Sequence, residues 1–417
     1  MRYTKLLAVV LCCLGHIAHA APPHPSLPAA EIPAGLGVNI HFTDAQPGEL
    51  EMLTAAGFRW VRMDFHWAAT EQRRGEYDFS AYERLLADLE KHGLHAMFIL
   101  DYSNPLYERD ASVATDSGRA AYSAWAAAAT KHFQGHGILW EIWNEPNGVF
   151  WKPKEDVQQY AAMAIAASKA IRGAAPSEAI VGPATSRIDM KFLEACFQAG
   201  VLSQWDAVSV HPYRPTAPET ALPEYEALRQ LIAKYTPPDK SIPILSGEWG
   251  YSSGWKKFDE AQQGRLLARQ WLTNLSAGIP LSIWYDWHDD GLDPNEPEHH
   301  FGTVHNKYQA DSAQVYEPKP AYLAAKTLTS TLGGFHFDKR LDLPSPEDYA
   351  LQFRSGDELR LAVWTTSPTP HLAKLPVTPG RYEAISHLGD SRKQVTATAG
   401  VFEFDINESP LYLLAAP

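Results

Sequence analysis

From residue 37 onward the chain repeats one pattern eight times, a short apolar run followed by a segment of helical period. The runs cover 37–42, 59–65, 95–101, 138–145, 179–185, 207–213, 242–250 and 281–288. Short buried strands that alternate with helices are joined by crossover connections and pair in parallel. Eight such units over about 300 residues fit a closed (β/α)8 barrel better than an open doubly wound sheet, and no Gly-rich phosphate loop follows any run. Among the helical segments, 80–92 is the clearest. There Ser80 and Glu83 predict a capping box, Tyr82, Leu85, Leu86 and Leu89 form one stripe, and Gly93 closes the end. Segments 122–133, 157–171, 225–235, 261–275 and 320–332 carry the same period.

After Gly333-Gly334 the helical period stops. Five alternating segments follow, at 349–353, 359–365, 380–385, 401–404 and 411–414, and predict a small all-β, sandwich-like domain. No line of spaced aromatics marks it as a sugar-binding module, so a stabilising role is the simpler reading. At the other end, Arg2 and Lys5 precede an apolar run from Leu6 to Leu14 and Ala18-His19-Ala20, the layout of a secretory signal peptide. The expected organisation is therefore a signal at 1–20, a Pro/Ala-rich linker at 21–34, the catalytic barrel at 35–333 and the β-sandwich at 334–417. Secretion, to the periplasm or beyond, follows from the signal. Lipid anchoring through Cys12 or Cys13 is disfavoured because Leu11 stands where a small residue is usual.

Two of three cysteines fall in the expected signal, which leaves Cys196 without a disulfide partner, so stability must come from a core. A formal charge of -13 argues against nucleic acid and anionic lipid as partners. No stretch is long and apolar enough for a membrane span.

In a barrel of this kind chemistry gathers where the strands end, so a polar residue that closes an apolar run is informative. The fourth run ends Ile142-Trp143-Asn144-Glu145-Pro146-Asn147 and the seventh Ser246-Gly247-Glu248-Trp249-Gly250. Either glutamate alone reads equally well as a surface salt bridge. Together, on strands four and seven, they would face each other across one mouth despite lying 103 residues apart. Cleavage of a glycosidic bond needs such a pair, one carboxyl raised in pKa to protonate the leaving oxygen and one ionised. Trp143 and Trp249 would lower the local dielectric and favour that split.

These motifs resemble the clan A glycoside hydrolases, in which Asn-Glu-Pro on strand four and a glutamate on strand seven are acid/base and nucleophile. Within the clan the chain looks most like family 39 and its relatives acting on bacterial exopolysaccharide. The likeness is carried by Trp60-Val61-Arg62-Met63-Asp64-Phe65-His66-Trp67, Trp143-Asn144-Glu145-Pro146-Asn147, His211-Pro212-Tyr213 and Glu248-Trp249-Gly250, with family 5 as the rival assignment. The resemblance implies a retaining hydrolase with Glu145 as acid/base and Glu248 as nucleophile. It implies Asn144 on the sugar 2-hydroxyl, Arg62 beside Glu248, and His211 and Tyr213 bordering the nucleophile, with Tyr213 as the donor to it. His66 and Asp101 are candidate sugar contacts. One of Trp284 and Trp287, preferably Trp287, would floor the sugar subsite. The His- and carboxylate-rich segment Asp289-Asp290, Glu298-His299-His300 and His305 invites a calcium or zinc reading. It lacks the spacing of either site, so no metal and no cofactor are expected. A carbohydrate is the expected partner. A plant-wall or bacterial glycan cut in a xylosidase- or arabinosidase-like manner leads. Endo action on an exopolysaccharide, a family 5 endoglycanase, transglycosylation and a non-catalytic carbohydrate-binding barrel are the alternatives.

Overall fold

A computed structural model describes residues 24, 26–398 and 401–415. The expected signal at 1–20 lies outside them. Eight parallel strands close into a barrel in chain order: β1 (Leu36–Asn39), β2 (Trp60–His66), β3 (His95–Asp101), β4 (Leu139–Ile142), β5 (Ala179–Ser186), β6 (Ala207–His211), β7 (Ile244–Trp249) and β8 (Ser282–Trp284). Their outward side chains pack under the surrounding helices, and none of the described helices is long and apolar enough to cross a membrane.

Because side chains alternate along a strand, the inward positions can be read upward in steps of two. At the bottom Trp60, Met97, Leu139, Val181, Ala207, Leu245, Leu281 and Ile283 fill the barrel with an apolar plug. One step higher the same strands turn polar, with Arg62, Glu141 and Ser209 buried in mutual contact. Gly247 is needed at this level, since a Cβ there would stand 2.2 Å from Ser209 Oγ and 3.0 Å from Glu141 Oε1. The pairing of β7 with β8 shifts register between Ser246 and Trp249, which brings the next residue, Glu248, to the mouth.

The helix Ser80–Lys91 buries Tyr82, Leu85, Leu86 and Leu89 as its periodicity predicts. The capping box is not formed. Ser80 already lies in the helix, its N–H donates to Asp78 Oδ1, and Glu83 faces His132 instead. The stretch expected to be a linker is packed in its described part. Leu27 touches the apolar plug, Ile32 is buried, and in the turn that leaves the barrel Phe335 O accepts from Ile32 N–H while Gly334 N–H donates to Ile32 O.

Beyond the helix Pro320–Leu332 come β9 (His336–Arg340), β10 (Asp348–Ser355), β11 (Glu358–Thr365), β12 (His371–Pro376), β13 (Gly380–Ser386), β14 (Arg392–Ala397), β15 (Val401–Ile406) and β16 (Leu411–Ala415). They form a six-stranded sheet in the order β14-β13-β16-β11-β10-β9, and β12 pairs with β15 alone. Three of the eight, β9, β12 and β14, escape sequence reading because they lie at sheet edges or in the two-stranded ribbon, where few of their side chains are buried. The middle strands of the large sheet, β10, β11 and β16, are buried on both faces. Ala350, Leu361, Val363 and Leu413 meet the ribbon, whereas Leu351, Phe353, Ala362, Trp364 and Tyr412 join the core of the barrel.

One polar contact pins this seam. Glu219, almost fully buried, accepts from Arg269 Nε and Nη2 at 2.7 and 2.8 Å and from Trp364 Nε1 at 2.6 Å. Removing the cation would strand a buried carboxylate, a change that costs about 3–5 kcal/mol. Arg269→Leu is therefore expected to lower the unfolding midpoint in guanidinium below that of Trp364→Phe, which removes one donor and part of a buried ring but leaves the cation in place. Equal midpoints for the two variants would show that the carboxylate is not held as described.

Candidate active site

The mouth of the barrel opens as a cleft of about 580 Å3. Arg62 rises from its floor, 1% exposed, and each edge of its guanidinium is engaged. Nε donates to Glu141 at 2.7 Å, Nη1 to Glu248 at 2.5 Å and to Asn39 at 3.3 Å, and Nη2 to Asn144 Oδ1 at 2.8 Å. Burial alone would lower the pKa of Arg62, but the carboxylates of Glu141 and Glu248 more than offset it, so the cation is permanent. Ser209 donates to the other oxygen of Glu141. Glu141 thus holds Arg62 from below while Arg62 holds Glu248 from the side. The remaining oxygen of Glu248 accepts from Tyr213 Oη at 2.9 Å, and burial, then Glu248 itself, push that phenol well above its usual range.

Glu145 is built differently. The backbone after β4 leaves the strand through Trp143 at φ 71° and Glu145 at φ 44°, left-handed conformations that non-glycine residues adopt only where surrounding contacts fix them. Here Trp143 N–H donates to Leu100 O, Glu145 N–H to Ala184 O, and Asn147 bonds Ser186 in both directions. The Glu145 carboxyl has no cation in contact. Burial raises its pKa to about 6, against smaller opposing effects of Arg62 and Ser186. Its Oε1 lies 3.0 Å from His211 Nδ1, and His211, with no exposure, is driven down to about 4 by burial. One oxygen of Glu145, one of Glu248 and one ring nitrogen of His211 all lie within 4.8 Å of one another.

Of the residues expected at the site, Glu145, Glu248, Asn144, Arg62 and Tyr213 line the cleft and His211 stands against Glu145. Asp101 is fully buried behind the wall, 3.3 Å from His66 Nδ1, and His66 stands 3.7 Å from Asp64, which does line the cleft. The two tryptophans must be reassigned. Trp284 faces outward from β8 and donates to Phe301 O, and Trp287 is buried against Phe58, Tyr316 and Tyr322 with Nε1 donating to Glu49. The inward parity of Leu281 and Ile283 continues to Tyr285, and it is Tyr285 that lines the cleft, with Trp255 and Phe301 beside it. Aromatic rings stand on both parities of this stretch, Trp284 on one and Tyr285 and Trp287 on the other, so alternation alone does not choose among them. Glu141 and Ser209 were missed because a polar residue inside an apolar run has no visible partner, and Tyr102, just past β3, because the sequence does not show that it accepts from Asn144 Nδ2.

Among the described residues three groups each converge closely enough to touch an ion: His41, Asp286 and Asp290; Asp64, His66 and Asp101; and Glu145, His211 and Glu248. His299, His300 and His305 belong to none of them. His305 and Lys319 instead engage Asp289.

A (β/α)8 barrel that holds two glutamates across its mouth, one fixed by a buried arginine and one left to a rise in pKa, defines a glycoside hydrolase of clan A. Residues 37–291 match the model of the cellulase family, glycosyl hydrolase family 5, and the chain belongs to that family. No curated protein matches the sequence. Among solved structures the fold is similar to a family 39 glycoside hydrolase from the gut symbiont Bacteroides cellulosilyticus WH2. That likeness has a TM-score of 0.80 at 21% identity over 95% of this chain and 83% of the other. A monomeric beta-xylosidase from Caulobacter crescentus CB15 follows (0.66, 16%, 95% and 99%), as does an alpha-L-arabinofuranosidase from Thermotoga maritima (0.65, 12%, 94% and 98%). Both families named from the sequence are thus recovered, family 5 by its model and family 39 among the similar folds.

Arg62→Lys tests the floor of the site, because a single ammonium cannot reach Glu141, Glu248, Asn144 and Asn39 in one plane. Activity is expected to fall at least about a hundredfold with the circular dichroism spectrum kept, a loss of the size seen when preorganised electrostatic contacts are removed.

Proposed function

We propose that this enzyme is a retaining glycosidase working by double displacement, with Glu248 as nucleophile and Glu145 as acid/base. The observation that carries the reading is the separation of the two carboxylates, whose nearest oxygens come within 4.8 Å. Retaining pairs stand about 5–5.5 Å apart, whereas inverting pairs need about 6.5–9.5 Å to admit a water. The electrostatics agree. Arg62 and Tyr213 both stabilise Glu248 as an anion, and a buried Glu145 without a cation in contact can carry a proton near neutrality.

In the first step Glu248 would attack the anomeric carbon while Glu145 passes its proton to the leaving oxygen. In the second, Glu145 as base would take a proton from water, which cleaves the glycosyl-enzyme and returns both groups to their starting states. The substrate we propose is a plant-wall or bacterial oligosaccharide or polysaccharide, cut in a xylosidase- or arabinosidase-like manner, and its aromatic cleft wall of Tyr285, Trp255, Phe301 and Phe150 suits a sugar face. The export layout of residues 1–20 supports action outside the cytoplasm.

Two experiments test this reading. Glu248→Gln keeps the shape and removes the attacking charge, so turnover of aryl glycosides should fall by several orders of magnitude, and proton NMR of the first wild-type product should show the anomer of the substrate. An inverted first product would falsify the nucleophile assignment. The second is a pH profile. Glu145 acts as an acid only when protonated, so kcat/KM should decline as pH rises through about 6 and approach a tenfold loss per unit above it. An alkaline limb that begins above pH 8 would mean that another group supplies the proton.

A further inference from the structure

His41 follows β1 at the rim of the cleft, on the wall shared with Tyr285, whose ring it meets edge-on at 5.7 Å between centroids. Its Nε2 lies 2.9 Å from Asp286 Oδ2, and Asp286 is 1% exposed. Asp286 is itself fixed, since Oδ1 accepts from the N–H of Trp287. The imidazole side chain is 36% exposed, and Nδ1 has no hydrogen-bond partner among the described residues. A buried carboxylate that orients an imidazole through one nitrogen leaves the other free for a ligand, with its protonation set from behind. Asp64 lines the same wall from β2 and offers an acceptor beside that donor.

We propose that the His41–Asp286 pair is a specificity determinant of the nucleophile-side subsite, in which His41 Nδ1–H donates to a hydroxyl of the bound sugar and the surrounding carboxylates turn away glycosiduronates. The inference rests on the reading of Glu145 and Glu248 given above and narrows its substrate to a neutral sugar in that subsite. The charges around His41 support it. Asp286 in contact, with Asp290 and Asp64 further off, lifts the imidazole to about 10 against the effect of burial, and His288 and His299 act on the far side of Asp290. Its positive charge is therefore already matched by carboxylates. Arg62 is committed to Glu141 and Glu248. The remaining arginine of the cleft, Arg187, follows β5, across the barrel from β1. A sugar carboxylate beside His41 would thus meet Asp64, Asp290 and Glu248 with no free cation to receive it.

The test uses the full-length enzyme with the 4-nitrophenyl xyloside, arabinoside, glucoside and glucuronide, and with monodeoxy analogues of whichever it cleaves fastest. The glucuronide should be cleaved at least about a hundredfold less efficiently than the glucoside. His41→Ala should lower kcat/KM for the parent glycoside at least about tenfold, yet less than about twofold for the one analogue that lacks the contacted hydroxyl. An equal loss across parent and every analogue, or a glucuronide that rivals the glucoside, overturns the proposal. No turnover of any glycoside would count instead against the roles given to Glu145 and Glu248. Proton–nitrogen NMR of the His41 ring, which needs no substrate, then decides the pair. The ring should stay protonated through pH 8 in the wild type and titrate lower in Asp286→Asn, and a wild-type ring already neutral at pH 7 overturns the inference.

Discussion

The site depends on one buried cation. A guanidinium with 1% exposure is tolerable inside a barrel only when its charge and its N–H groups are matched, and Arg62 meets that condition by touching Glu141, Glu248, Asn144 and Asn39 together. Glu141 is its structural counterion, held by Ser209 and given room by Gly247. With that lower pair closed, the upper side of the guanidinium is a fixed positive edge that holds the Glu248 carboxylate and the Asn144 amide in place. Five strands, β1, β2, β4, β6 and β7, or the turns at their ends supply these groups, so the barrel must close before the arrangement exists.

The two glutamates differ by what surrounds them. Glu248 has a cation and a phenol, both donors to a carboxylate. Glu145 has a neutral imidazole and the low dielectric of its burial, conditions that favour a protonated carboxyl near pH 6. Two side chains of one chemical type thus stand a few ångströms apart in unlike surroundings, one against a cation and one without. The strained turn at Trp143 and Glu145 belongs to the same design, because it carries Glu145 out of the strand and over the cleft.

The C-terminal sheet does not reach into this chemistry. Its inner face completes the hydrophobic core of the barrel, and Trp364 with Arg269 satisfies Glu219 in the seam between them. A sheet whose middle strands are buried on both faces, by the barrel on one and the β12–β15 ribbon on the other, is fixed in place on the barrel rather than tethered to it.

The alternation of eight apolar runs with helical segments determined the barrel from sequence alone, because strand and helix periods are local properties and parallel pairing follows from their order. The same logic exposed Glu145 and Glu248, each a charge at the end of an apolar strand. What tertiary structure alone decided are the things that depend on parity and partners. Aromatic rings stand on both parities of strand eight, so only closure against β7 and β1 showed that Tyr285, and not Trp284 or Trp287, lines the cleft. Glu141 and Ser209 read as isolated polar residues until Arg62 stood between their strands. The capping box at Ser80 failed because Asp78, two residues earlier, took the N–H first. A sequence displays the period of each element; the energy of a buried charge is a sum over neighbours that come from elsewhere in the chain, and those are assigned only when the barrel closes.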